Sequence, residues 1–114
     1  MKNISIGKYR RLQQCSTSRS ALSILALDHR QNLRVSLRPQ SPDTVTPEEI
    51  TNFKIQIVQS IAQVSSAVLM DPEFGAAQCI AAGIFPSHVG LLVSVEASGY
   101  TGDPISRKSG ILPG

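Results

Sequence analysis

Three short apolar runs that each stop at a carboxylate constrain the fold of this chain more than any other feature. They are Ala21-Leu-Ser-Ile-Leu-Ala-Leu-Asp28, Ala67-Val-Leu-Met-Asp71 and Val89-Gly-Leu-Leu-Val-Ser-Val-Glu96. Each is too short for a helix of ordinary length, and near-continuous apolar runs are what strands become when helices cover both faces of a parallel sheet. Periodicity alone leaves a buried helical turn open for any one of them. Their repetition, with helix-forming segments between, favours strands.

Between the first and second runs, Thr46-Pro47-Glu48-Glu49 is a capping box. The Thr46 hydroxyl is placed to accept a backbone N–H, Pro47 occupies the first helical position, and Glu49 can reach back to the cap N–H. Ile50, Phe53, Ile57, Ile61 and Val64 then recur at helical spacing and predict one buried stripe, with Thr51, Lys54, Gln59 and Gln63 off it. The stretch 31–38 is amphipathic and stops at Pro39, which restricts the residue before it and lacks an N–H. Residues 76–82 predict another short helix, ended by Gly83. Ile4, Ile6, Tyr9 and Leu12 mark an amphipathic helix over residues 4–14. Strand, helix, strand, helix, strand implies parallel pairing with right-handed crossovers. The expected organisation is one α/β domain: an N-terminal helix and loop over 1–20, a β-α-β-α-β core over 21–96, and an irregular tail rich in Gly, Ser and Pro over 97–114.

A length of 114 residues allows one modest core, and 41% hydrophobic with 17% charged residues argues against global disorder. With no Trp and few other aromatics, that core must be aliphatic. No stretch approaches the roughly 18 consecutive apolar residues of a membrane span, and the amino terminus lacks the apolar region of a secretory signal. The expectation is a cytoplasmic protein with no membrane partner. Cys15 and Cys79 are then reduced thiols, Cys79 buried among Ala76, Ala77 and Ile80. Lys2, Lys8, Arg10, Arg11 and Arg19 concentrate positive charge at the start. Without RRM, KH or zinc-finger patterns they read as a solvated helix face, and no nucleic-acid partner is expected.

In parallel sheets, functional groups gather at the carboxyl ends of the strands. Asp28, Asp71 and Glu96 are expected there, on one rim, with His29 and Arg30 beside the first. Any one acid is better explained by a strand entering a solvated loop, and Asp71 could cap the following helix. The three together point to a polar site. No GxSxG, HExxH, GxGxxG or Walker lysine motif is present, and His88 precedes its strand at the opposite rim. Asp28, Asp71, Glu73 and Glu96 have no diagnostic metal-ligand spacing; no metal and no cofactor is expected.

Leu25-Ala-Leu-Asp28-His29-Arg30, Val68-Leu-Met-Asp71-Pro72-Glu73-Phe74-Gly75 and Gly90-Leu-Leu-Val-Ser-Val-Glu96-Ala-Ser-Gly99-Tyr100, followed by Ser106-Arg107 and Leu112-Pro-Gly114, resemble the tagatose 1,6-bisphosphate aldolase family of class I aldolases. Related sulfosugar-phosphate aldolases share much of the pattern. The resemblance implies a (β/α)8 TIM barrel that cleaves a phosphorylated ketose into dihydroxyacetone phosphate and an aldehyde without metal. A lysine amine condenses with the substrate carbonyl, and the iminium serves as the electron sink.

The resemblance further implies that Asp28 supports catalysis and, with His29, contacts substrate hydroxyls, with Arg30, Asp71 and Glu96 as rim or support residues. His29 stands where the family usually carries glutamine. A complete barrel needs eight strands and typically about 250 residues. The chain therefore reads as the N-terminal three β/α units of such a barrel, truncated before the Schiff-base lysine. Lys2, Lys8, Lys54 and Lys108 all lie away from strand ends in sequence.

An unclosed sheet would leave apolar side chains and strand edges exposed. The isolated chain is thus expected to be marginally folded or self-associating, and inactive alone. The alternative is a non-enzymatic small α/β binding or interaction domain that uses the acidic rim or the basic amino terminus.

Overall fold

A computed structural model describes residues 3–96. The expected tail over 97–114, with Gly99, Tyr100, Ser106, Arg107 and Lys108, lies outside the described residues, as does Lys2. The elements are α1 (Ile6–Gln14), β1 (Ile24–Leu27), α2 (Gln31–Leu37), α3 (Pro47–Ile61), β2 (Ala67–Met70), α4 (Ala76–Ala81) and β3 (Gly90–Val93). Single 3-10 turns at Pro42–Thr44 and Ala62–Val64 flank α3.

The strands form one parallel sheet in the order β1-β2-β3, in register Leu25–Val68–Leu91 and Leu27–Met70–Val93. Successive strand residues point to opposite faces. Leu25, Leu27, Val68, Met70 and Leu91 therefore share one face, and it is packed against Val58 and Ala62 and against Ala76 and Cys79 of α4. Burying such aliphatic side chains stabilises by about 1.5–3 kcal/mol each, and this helix-covered face is the core. The other face carries Ile24, Ala26, Leu69 and Leu92. Among the described residues only the carboxyl end of α1 touches this second face, and Ile24 stays 40% exposed.

At its amino end the open face meets the carboxyl end of α1. A Cβ added to Gly90 would lie 2.6 Å from Cys15 Sγ and 2.8 Å from the Gln14 carbonyl. Only glycine lets the two backbones approach so closely. The rest of α1 buries nothing: its N-cap is Ser5, whose hydroxyl accepts from Lys8 N–H, and Ile6, Tyr9 and Leu12 are all exposed. The sequence places the helix correctly, but its apolar side finds no partner among the described residues.

The capping box forms as its sequence requires. Glu49 N–H donates to Thr46 Oγ1 at 3.2 Å and Thr46 N–H donates to Glu49 Oε2 at 2.7 Å. The stripe that follows is phased differently from expectation. Ile50, Lys54 and Val58 are the buried residues of α3, continued by Ala62, while Ile61 is 44% and Val64 84% exposed. Lys54, expected off the stripe, lies in its middle. Residues four apart stack on one helix face, so 50/54/58/62 is as regular a stripe as the expected one. The lysine at its second position disguises it.

The third strand is shorter than its apolar run: β3 ends at Val93, so Glu96 is beyond the strand tip and not at it. Helix α4 ends with Gly83 at φ 64°, the left-handed conformation in which glycine costs least.

Candidate functional site at the carboxyl ends of the strands

The turns after β1 and β2 are built around charged groups, and one pair is completely buried. The Lys54 ammonium forms an ion pair with Asp71 Oδ1, and both side chains have no solvent exposure. Lys54 Nζ also donates to the His29 carbonyl at 2.8 Å. Asp71 Oδ2 accepts from Phe74 N–H at 2.7 Å, and the Asp71 carbonyl accepts from Ala76 N–H at 2.9 Å. A second residue of α3 reaches the same turn, with Thr51 Oγ1 donating to the Phe74 carbonyl at 2.9 Å.

This corrects two expectations. Asp71 does follow β2 directly, but its carboxylate is sealed beneath the rim and is not presented on it. Lys54 is remote from every strand end in sequence, yet its ammonium reaches the carboxyl end of β2. Being paired and buried, it is not a free amine available to a carbonyl substrate.

Arg30 ties the rim together laterally. Its side chain is only 9% exposed; Nη1 donates to Glu73 Oε1 at 2.8 Å and Nη2 donates to the Glu96 carbonyl at 2.9 Å. One guanidinium thus joins the segments that follow all three strands, and its buried Nε has no hydrogen-bond partner among the described residues. The planar five-donor fork suits this task better than a lysine would. Glu96 takes part through its backbone, with an exposed side chain.

Asp28 follows β1 directly and is half-buried, and His29 is exposed. Among the described residues neither enters an ion pair. Beside them a cleft of about 320 Å³ is lined by Arg30, Gln31, Arg34, Asp43, Glu73 and Phe74. Arg34 donates to the Val45 carbonyl and stacks its guanidinium 5.7 Å from the Phe74 ring centroid. The rim therefore offers one exposed imidazole, one half-buried carboxylate and a mixed-charge cleft, a surface able to hydrogen-bond hydroxyls.

Among the described residues no cluster of three or more His, Cys, Asp or Glu side chains is disposed to hold a metal ion. His88 lies in the loop before β3, at the opposite end of the sheet, where Nε2 meets the Gln63 carbonyl at 3.1 Å. A larger cleft, about 630 Å³, sits at that end between α1 and the start of β3. Both cysteines are free thiols, and burial pushes the Cys79 thiol up, with the Lys54 charge opposing. No helix among the described residues is long and apolar enough to cross a membrane.

Sequence comparison supplies what the geometry alone does not. No family model matches the chain. It is 33% identical over 100 residues to tagatose 1,6-diphosphate aldolase 1 of Enterococcus faecalis, a match covering 88% of the chain and 29% of that protein. The chain resembles the tagatose 1,6-diphosphate aldolases. A second Enterococcus faecalis protein, tagatose 1,6-diphosphate aldolase 2, is 29% identical over 112 residues, 98% of the chain and 33% of its own length. The tagatose 1,6-diphosphate aldolase of Staphylococcus epidermidis is 29% identical over 89 residues, 78% of the chain and 26% of its length. The chain thus spans a third or less of each of these relatives.

Lys54 is the residue beneath the rim that sequence reasoning missed. The signal was present: Ile50, Val58 and Ala62 complete a stripe through position 54, and an aspartate ends the strand that follows.

Proposed function

We propose that the chain supplies the first three β/α units of a class I aldolase-type (β/α)8 barrel acting on a phosphorylated ketose of the tagatose 1,6-bisphosphate kind. What carries this reading is the similarity to enzymes of that name along 78–98% of the chain. The parallel order β1-β2-β3, with Asp28 and Asp71 directly after their strands, is compatible with it. On this reading the substrate approaches the carboxyl rim, where Asp28 and His29 hydrogen-bond its hydroxyls and Arg30 and Glu96 frame the border. This reading assigns iminium formation to a lysine of the remaining barrel units, and Lys54, engaged with Asp71, is not a candidate for it. The reading calls for no metal or cofactor, a cytoplasmic setting, and no nucleic-acid or membrane partner.

The open face bearing Ile24 and Ala26, together with the outer edges of β1 and β3, which pair with no further strand among the described residues, favours self-association of the isolated chain. Alone, it releases no dihydroxyacetone phosphate. The decisive experiment replaces the matched 100-residue segment of the Enterococcus faecalis relative with this chain's own residues. The chimaera should cleave tagatose 1,6-bisphosphate, and Asp28→Asn should reduce that turnover by at least tenfold. A folded chimaera without turnover overturns the reading.

A further inference from the structure

A charged pair buried as completely as Lys54 and Asp71 calls for an explanation, because an apolar pair of similar volume is often at least as stabilising. What an apolar pair lacks is direction. The Lys54 ammonium donates to two partners, the Asp71 carboxylate and the His29 carbonyl, and Asp71 in turn accepts from Phe74 N–H. These bonds fix where the backbone after β1 lies relative to the turn after β2, and aliphatic contacts would let the two slide. Arg30, next in sequence to His29, then extends the same register to Glu73 and to the Glu96 carbonyl.

We propose that the Lys54–Asp71 pair is the positioning device of the rim: through the His29 carbonyl it sets the backbone of Asp28, His29 and Arg30, and it takes no part in chemistry. Its functional importance rests on the reading proposed above. The mechanical claim stands on the geometry alone.

The test uses Lys54→Met/Asp71→Asn in the full chain. The double substitution removes both charges together, and the asparagine oxygen can still accept from Phe74 N–H. Hydrogen exchange read by mass spectrometry should quicken at least tenfold in peptides covering 28–38, with β2 and the second half of α3 unchanged. A general loss of stability would accelerate all of these alike. A folded double variant with unaltered exchange over 28–38 overturns the proposal.

If the variant fails to fold, the unsubstituted chain decides by NMR. Scalar coupling across the hydrogen bond from Lys54 Nζ to the His29 carbonyl carbon supports the proposal, and an ordered chain without it refutes it. In the chimaera, the same double substitution should lower kcat/KM for tagatose 1,6-bisphosphate at least tenfold at a temperature where the variant is still fully folded, and an unchanged kcat/KM overturns the positioning role. A parent chimaera that is itself inactive counts against the aldolase reading and leaves the exchange result to judge the pair.

Discussion

Removing one member of the buried pair should cost far more than removing both. Lys54→Met keeps most of the aliphatic stem and deletes the ammonium, leaving the Asp71 carboxylate fully buried with Phe74 N–H as its remaining side-chain partner and the His29 carbonyl without its donor. Breaking a buried ion pair in this way typically costs about 3–5 kcal/mol, a large share even of the roughly 5–15 kcal/mol that a complete domain has. At about 4 °C per kcal/mol for a chain of this size, Tm should fall by about 12–20 °C. Asp71→Asn strands the ammonium instead and should cost a comparable amount. The double variant carries no buried charge and should sit within about 2 kcal/mol of the parent, because exchanging a whole buried pair for neutral groups is often nearly neutral. Urea unfolding of the four proteins at one pH, followed by far-UV circular dichroism, closes the cycle. A coupling energy above about 2 kcal/mol is expected. Additive single losses, or a Lys54→Met loss under about 1 kcal/mol, would refute the reasoning.

Thr46→Ala removes the acceptor for Glu49 N–H and should destabilise by about 1 kcal/mol in the same urea assay. The Thr46 N–H, and after it the Arg38 guanidinium, hold the Glu49 carboxyl below its ordinary value of 4.5. Its contribution is therefore present above pH 4.5 and lost as the pH falls through the lowered value, so the advantage of the parent over Glu49→Gln should vanish in acid. Gly90→Ala drives a methyl group into backbone and side-chain atoms of Gln14 and Cys15; it should cost about 1–3 kcal/mol and detach the carboxyl end of α1, which proteolysis near residue 15 would report. An aromatic disulfide reagent should label half-buried Cys15 in the folded chain and reach Cys79 only on unfolding. Because burial raises the Cys79 thiol, its stabilising contribution is full below pH 9.0 and declines as the pH rises through the raised value, which unfolding midpoints on an alkaline series should show.

What the sequence determined by itself is the content of local interactions. The capping box at Thr46 closes within four residues, Pro39 and Gly83 act on their own neighbourhoods, and the apolar runs declare strands wherever they pair. The resemblance to the aldolases is likewise carried by short motifs such as Asp71-Pro-Glu-Phe-Gly75. Tertiary structure alone decided which groups those strands bring together. Asp28 and Asp71 look alike as acids closing apolar runs, yet one is half-open at the rim and the other sealed beneath it. The difference comes from α3, whose rotation about its own axis places Lys54 against the sheet. That rotation is a collective result of packing Ile50, Val58 and Ala62, and two stripes of nearly equal regularity compete for it in the sequence. The partners of Arg30, expected at the rim, could not be read off either, because Glu73 and Glu96 lie 43 and 66 residues away and meet it only once the sheet has formed.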